Sequence, residues 1–240
     1  MFVNIVCIEF IYEVIFSFKI VMHSTIQNLI DIEDKIKSNL AVLAINKLPK
    51  IIAVSKTFKM SQILPLINHG HIDFGENKVQ EAVEKWDKIK TENPKIKLHM
   101  IGKLQTNKVK VAVKLFDYIH SVDSEKLAKK ISDEQVKINK NIKTFIQVNI
   151  GEENQKSGIG MDKITNLINF CKTLDLEVVG LMCIPPANQD SFEYFRQMNE
   201  VNKNFNFPEL SMGMSSDFLQ AAQQNATFLR IGSSIFGLRS

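Results

Sequence analysis

Lys56 closes a short apolar run, Ile51-Ile52-Ala53-Val54, as the middle residue of Ser55-Lys56-Thr57. A lysine at the carboxyl end of a buried strand has its ammonium partly stripped of water. That favours the neutral amine, the form that attacks a carbonyl. Taken alone, a lysine just past a strand is more often a solvated surface residue. A second group of residues changes the weighting. Ser211, Gly213 and Ser215, then Gly232 and Ser233, are small residues that expose backbone N–H groups and hydroxyls, the donors an anion such as phosphate accepts. Arg230 stands just before the last of them. Each Gly or Ser by itself is an ordinary turn residue; it is the clustering that carries the reading.

The elements that must position these groups follow from the apolar pattern. A first helix is predicted over Thr25–Ile45, where Ile26, Leu29, Ile30, Ile36, Leu40 and Leu43 recur at helical spacing behind a capping box opened by Ser24. Eight short apolar or β-branched runs come next: Ile51–Val54, Ile72–Phe74, Leu98–Ile101, Tyr118–Val122, Thr144–Ile150, Val178–Ile184, Leu210–Met214 and Phe228–Ile235. Amphipathic stripes fill the gaps, such as Val79, Val83, Trp86 and Ile89, then Ile164, Leu167, Ile168 and Cys171, then Phe192, Phe195, Met198 and Phe205. Ser124 and Ser215/Ser216 read as helix N-caps. Strand, loop and helix in alternation imply parallel strands joined by crossovers, and eight such units in a chain of 240 residues favour a closed (β/α)8 TIM barrel with an extra N-terminal helix. An open doubly wound sheet is the alternative, but the Gly-rich first turn common in that fold is absent.

Composition narrows the classes of function. Hydrophobic content of 45% and charge of 23% are those of an ordinary globular domain, and the net charge of +4 is dispersed without a basic block, which argues against nucleic acid. Cys7, Cys171 and Cys183 show no metal-ligand spacing and read as small core residues of a cytoplasmic protein. His69-Gly70-His71 lacks a third ligand, so no metal is expected. His99 and His120 fall inside runs and read as hydrogen-bonded barrel residues. Glu152-Glu153 reads as a solvated pair, and Lys156 as a surface lysine. Met1–Val21 is apolar but broken by Glu9, Glu13 and Lys19, and lacks the layout of a signal peptide. It is read as a non-native or disordered extension preceding one domain over residues 22–240, with no membrane segment.

In such a barrel the site lies beyond the carboxyl ends of the strands, with phosphate often after the seventh and eighth. The residues at those ends are Lys56, Gly75-Glu76-Asn77, Gly102, Ser121 with Asp123, Asn149, Met182, Ser211–Ser215 and Arg230–Ser233. A lysine after the first strand, a phosphate cradle after the last two and an arginine on the eighth point to a phosphorylated carbonyl ligand.

Several blocks carry a resemblance that covers Ser24 to Leu238. They are Ala53-Val54-Ser55-Lys56-Thr57; Phe74-Gly75-Glu76-Asn77 with Val79-Gln80-Glu81; His99-Met100-Ile101-Gly102 with Leu104-Gln105-Thr106-Asn107-Lys108; and His120-Ser121-Val122-Asp123. Gln147-Val148-Asn149-Ile150 with Lys156-Ser157-Gly158, Gly180-Leu181-Met182, Leu210–Ser215, and Arg230-Ile231-Gly232 with Ile235-Phe236-Gly237 complete the set. The chain resembles the pyridoxal phosphate homeostasis family (YggS-like, or proline synthase co-transcribed, proteins), which is similar to the alanine racemase N-terminal barrel. The resemblance implies a fold-type III barrel that binds pyridoxal 5'-phosphate. It matches Lys56 to the lysine of the Schiff base and Asn77 to a residue beside the cofactor ring. Ser211, Ser215, Gly232 and Ser233 match the phosphate-binding segments, and Arg230 the arginine facing the pyridine nitrogen. Three departures stand out: Lys103 where the family usually has proline, Phe58-Lys59 in place of Lys-Pro, and Ser233-Ser234 in place of Thr-Ala.

A fixed cation at the pyridine nitrogen weakens the ring as an electron sink. The similar racemases add a tyrosine from a separate C-terminal domain, for which this chain, ending at Ser240, has no counterpart. Tyr12, Tyr118 and Tyr194 are poorly placed to replace it. The expectation is therefore a non-catalytic, monomeric carrier in intracellular pyridoxal phosphate homeostasis, with no catalytic residue and with pyridoxal-phosphate-dependent apo-enzymes as recipients. The alternative is a small amino-acid racemase.

Overall fold

The computed structural model describes residues 22–153, 155, 157–187 and 189–238, so the expected extension over residues 1–21, with Tyr12 and Cys7, and Lys156 lie outside the described residues. Helix α1 (Ser24–Val42) buries Leu29, Ile32, Ile36 and Leu40 at helical spacing. Its cap differs from the expected one. Ser24 is already helical, and the His23 imidazole accepts the Thr25 N–H at 3.3 Å. The helix also stops three residues short of Ile45, because Ala44 turns left-handed (φ 55°) and the Ile45 N–H closes on the Leu40 carbonyl at 3.0 Å.

The alternation then begins: β1 (Lys50–Val54), α2 (Met60–Asn68), β2 (Asp73–Glu76), α3 (Val79–Glu92), β3 (Lys97–Met100), α4 (Val109–Leu115), β4 (Tyr118–Val122) and α5 (Glu125–Lys137). It continues with β5 (Lys143–Val148), α6 (Ile164–Thr173), β6 (Val178–Cys183), α7 (Ser191–Asn204), β7 (Glu209–Ser211), α8 (Phe218–Gln223), β8 (Phe228–Ile231) and α9 (Ser233–Phe236). All eight strands are parallel and close in chain order, β1 pairing with both β2 and β8. The closed (β/α)8 barrel holds, and the open sheet does not.

The last two strands are shorter than their apolar runs. β7 stops at Ser211 because the chain turns at Gly213 (φ 85°), where an added Cβ would lie 2.5 Å from that of Ala221. β8 stops at Ile231, where the Gly232 carbonyl takes the N–H groups of Ile235 and Phe236 and starts α9.

Two apolar layers hold the barrel. Inside it, Ile52, Tyr118, Phe145, Val179, Met182 and Phe228 pack together, Phe145 meeting Phe228 edge to face at 5.9 Å. Outside, the helices press Trp86, Phe116, Phe195 and their neighbours onto the strands, each such side chain contributing roughly 1.5–3 kcal/mol. α1 packs against α2, α8 and α9, filling the place of the helix that would follow β8. The Asn28 amide pins it there by donating to the Ile235 carbonyl at 2.9 Å. Ser124 caps α5 as expected, accepting the Leu127 N–H at 3.4 Å.

Candidate functional site

Lys56 lies half-buried just beyond β1, in a loop held from below by charge. The Ser55 hydroxyl donates to Glu76 Oε1 at 2.7 Å. Glu76, the last residue of β2, is fully buried, and the same oxygen accepts from Trp86 Nε1 at 2.9 Å and Lys85 Nζ at 3.0 Å. Lys85 also donates to the Ser55 carbonyl (2.8 Å) and to Glu81 Oε1 (2.9 Å). Glu81 in turn accepts the Thr57 N–H at 2.5 Å. Burial works against the Glu81 charge, but hydrogen bonds from Lys85 and Thr57 hold its carboxyl below the ordinary pKa. Thr57 has φ 67°, an unfavourable region for a β-branched residue that persists only where the surroundings enforce it. Both residues flanking Lys56 are thus clamped by carboxylates on β2 and α3.

Asn77 follows Glu76 and is half-buried. The chain leaving β3 passes directly against it, and a Cβ on Gly102 would sit 2.3 Å from the Asn77 carbonyl oxygen, so only glycine fits there.

The β7–β8 side is built from backbone donors. The N–H groups of Gly232 and Ser234 both reach Ser215 Oγ, at 3.3 and 3.4 Å. Ser215 is therefore not the helix cap expected for it: α8 starts after Asp217, whose carboxylate accepts the Met214 N–H at 2.6 Å and shapes the loop. Ser233 is exposed at the start of α9. A Cβ on Gly232 would lie 3.3 Å from that of Val54, which places this cradle beside the end of β1. Phe58 stacks on Phe236 at 4.8 Å and ties the Lys56 loop to α9.

Beneath the mouth, Arg230 is buried, with Nη1 donating to Ser211 Oγ at 2.7 Å and Nη2 to the Cys183 carbonyl at 2.9 Å. Burial lowers the guanidinium pKa from its ordinary high value, and the group remains a cation. Ser211 differs from the expectation that grouped it with the phosphate segments. It is the last residue of β7, fully buried, and its hydroxyl also meets His120 Nδ1 at 2.9 Å. It supports Arg230 from within the barrel and is not part of the cradle. The chain of contacts continues inward: His120 Nε2 lies 3.0 Å from His99 Nδ1, and His99 Nε2 lies 2.9 Å from Asp73 Oδ1.

Lys56, Asn77, Ser215, Gly232 and Ser233 thus all follow the carboxyl ends of their strands, at one end of the barrel, with Arg230 buried within β8 beneath them. The carboxylate clamp of Glu76, Glu81 and Lys85 and the Asp73–His99–His120 contacts were not anticipated. The only signal for the first was a Glu81/Lys85 pair at i,i+4 spacing. Other groups lie elsewhere. Tyr118 opens β4 at the far end of the barrel, its hydroxyl pushed up to about 12 by burial. The Tyr194 hydroxyl is taken by Gln189. His71 donates to the Asp73 carbonyl at 2.9 Å, Lys103 is exposed, and Cys171 and Cys183 are buried thiols. Among the described residues no helix is long and apolar enough to cross a membrane.

Residues 32–240 match the family described as alanine racemase, N-terminal domain. The chain is 35% identical over 202 residues to the pyridoxal phosphate homeostasis protein of Haemophilus influenzae, spanning 80% of this chain and 85% of that one. It is 34% identical over 231 residues to the protein of the same name in Escherichia coli K12, spanning 91% and 98%. Among solved structures it is similar to PipY of Synechococcus elongatus with PLP bound, at 32% identity and a TM-score of 0.73, covering 84% of this chain and all (100%) of that one.

Proposed function

Because the chain belongs to the alanine racemase N-terminal domain family and, within it, to the pyridoxal phosphate homeostasis proteins, we propose that it binds pyridoxal 5'-phosphate at the barrel mouth and serves in intracellular homeostasis of that cofactor. One observation supports the site assignment: Gly232, whose N–H converges with that of Ser234 on Ser215, packs against Val54 at the end of β1, two residues before the half-buried Lys56, with Arg230 buried on β8, the strand that leads into Gly232.

That donor set fits the ligand. The cradle is polar, accessible and free of side-chain bulk, as a phosphate dianion requires. Lys56 would hold the aldehyde as a Schiff base with loss of one water, and Asn77 would flank the ring. Ser215, Gly232 and Ser233 would hold the phosphate, while Arg230, anchored on Ser211 Oγ, would face the ring nitrogen. The bound group supplies an electrophilic carbonyl and a conjugated ring.

The protein acts as a carrier and not as a racemase in this reading. The fixed Arg230 cation opposes ring protonation, and neither Tyr118, at the far end of the barrel, nor Tyr194, engaged by Gln189, is placed as a second base. It works in the cytoplasm as a monomer and passes the cofactor to pyridoxal-phosphate-dependent apo-enzymes.

Borohydride reduction of the loaded protein followed by peptide mass spectrometry tests the site. The adduct is expected on Lys56, and an adduct elsewhere with Lys56 unmodified overturns the assignment. Holo-protein incubated with L- or D-alanine in deuterium oxide is expected to leave the α-proton in place. Exchange at that carbon would establish the racemase alternative.

A further inference from the structure

The buried contacts that run from Arg230 to Asp73 have only one consistent polarity. Arg230 possesses donors alone, so Ser211 Oγ accepts from it. Ser211 spends its own hydrogen on His120 Nδ1. A neutral His120 then carries its proton on Nε2 and donates to His99 Nδ1, and His99 donates Nε2–H to the Asp73 carboxylate, which only accepts. With neutral rings and an ionised carboxylate no other assignment satisfies all four contacts.

The surroundings keep the rings neutral. Both histidines are fully buried; Tyr118 stacks on His99 at 4.4 Å and Phe145 on His120 at 4.2 Å. Desolvation lowers both imidazole pKa values, helped at His120 by His99 and Arg230 and opposed at His99 by Asp73 and Asp117. The five residues come from β2, β3, β4, β7 and β8, so the path crosses the barrel from its floor to its mouth. Asp73 opens β2 and lines a floor cavity of about 310 Å³ with Lys50 and His71.

We propose that Asp73, His99, His120 and Ser211 form a one-way hydrogen-bond relay that fixes the plane of the Arg230 guanidinium, making a carboxylate on the barrel floor a positioning residue for the ring of pyridoxal phosphate at the mouth. The proposal rests on the reading that this cofactor lies over Arg230. Two anchors, Ser211 Oγ on β7 and the Cys183 carbonyl on β6, hold the guanidinium plane; the relay orients the first so that a lone pair, not a hydrogen, meets Nη1. A guanidinium held in place keeps its charge at the ring nitrogen and suppresses ring protonation, and one freed from Ser211 swings and lets the nitrogen titrate.

The relay is tested first without cofactor. Nitrogen-15 NMR of the imidazoles in the apo-protein is expected to show Nε2–H tautomers at both His99 and His120, and Asp73→Asn, whose amide can donate or accept, to mix the tautomers at His99. A proton on Nδ1 of His120 in the unaltered protein overturns the relay whatever the ligand.

The second arm follows the ring nitrogen of nitrogen-15-labelled pyridoxal phosphate across pH. His120→Leu is expected to raise its apparent pKa by about one unit or more. His120→Gln, whose side chain both accepts and donates, should restore most of the original profile, and Asp73→Asn should shift it in the same direction by less. An unchanged profile in His120→Leu with the Lys56 adduct intact refutes the positioning role. Should that variant not fold, an unchanged profile in Asp73→Asn refutes it equally. Absence of any Lys56 adduct in the unaltered protein would instead refute the cofactor reading, leaving the tautomer result to stand by itself.

Discussion

On the β1–β2 side of the mouth, a buried carboxylate gathers three donors: Glu76 Oε1 takes Ser55, Lys85 and Trp86, and through Lys85 and Glu81 fixes the backbone on both sides of Lys56. On the β7–β8 side, among the described residues, no ion pair holds the cradle. There the geometry comes from a left-handed glycine, an aspartate-shaped loop and two backbone N–H groups turned toward one serine hydroxyl. The difference matches what the proposed site asks of each side. A flexible lysine stem needs a stiff base, and a buried charge network supplies stiffness at the risk of a large loss when one partner goes. An anion can be met by backbone donors, and these remain when the side chain they now point to is trimmed. The first side should be brittle and the second tolerant.

Lys85→Met tests the brittle side and should have the largest effect. It keeps the stem volume but leaves Glu76, with 0% of its side chain exposed, as a carboxylate without its cation. Breaking one partner of a buried pair costs about 3–5 kcal/mol, measurable by urea unfolding. The Thr57 clamp should loosen with it, so that borohydride trapping at Lys56 slows even in molecules that remain folded. The double change Lys85→Met with Glu76→Leu should recover part of the stability, since the stranded charge is gone, without recovering the trapping rate. Recovery of both would show that the clamp does not position Lys56.

Acidification should reach the other side first, through its floor. His99 and His120 are held neutral by burial, so their folded pKa values lie below the unfolded value. The unfolded chain then binds protons that the folded chain refuses. Stability is fully present above about pH 6.5 and falls as pH drops, by about 1.4 kcal/mol per pH unit for each proton refused. For one proton the loss reaches about 2 kcal/mol between pH 6.5 and 5. Denaturant melts at these two pH values measure it, and His120→Gln should flatten part of the slope. Hydrogen exchange should show β7 and β8 loosening over this range before the Lys56 loop, where hydrogen bonds from Lys85 and Thr57 hold the Glu81 carboxyl below its ordinary pKa. The reverse order would contradict the contrast between the two sides.

What could be read from the residues divides along the same line. The eight runs, the Ser124 cap and the place of Lys56 follow from local periodicity, which needs no tertiary information. The barrel follows from counting them. The ends of β7 and β8 did not follow, because apolar composition continues past Ser211 and Ile231 while Gly213 and Gly232 redirect the backbone. Ser211 was placed at the mouth with its neighbours. It is in fact the last strand residue, one layer deeper, and which layer a residue occupies depends on the stagger between strands. The Asp73–His99–His120–Ser211–Arg230 path was out of reach for the same reason. Its members are scattered over five strands, and only closure of the barrel brings them to hydrogen-bond distance.

Ser215→Ala tests the tolerant side and should have the smallest effect. Its hydroxyl is the acceptor for the N–H groups of Gly232 and Ser234, both long contacts at 3.3 and 3.4 Å in a half-exposed place that water can reach. Losing an acceptor there costs roughly 0.5–1.5 kcal/mol of stability, well short of the Lys85 change, because solvent takes over the freed donors. The same donors stay available to a phosphate, so retention of pyridoxal phosphate should weaken only by a modest factor, read as the rate at which the loaded protein gives up its yellow chromophore on dilution. Gly232→Val is the complementary change. It leaves the Ser215 hydroxyl in place but sets a branched side chain against Val54, whose Cβ is already 3.3 Å from where a first carbon would go, and it should cost more retention than Ser215→Ala. If Ser215→Ala instead removed binding altogether, or proved as damaging to stability as Lys85→Met, the serine hydroxyl and not the backbone would be holding the anion, and the two sides of the mouth would be brittle alike.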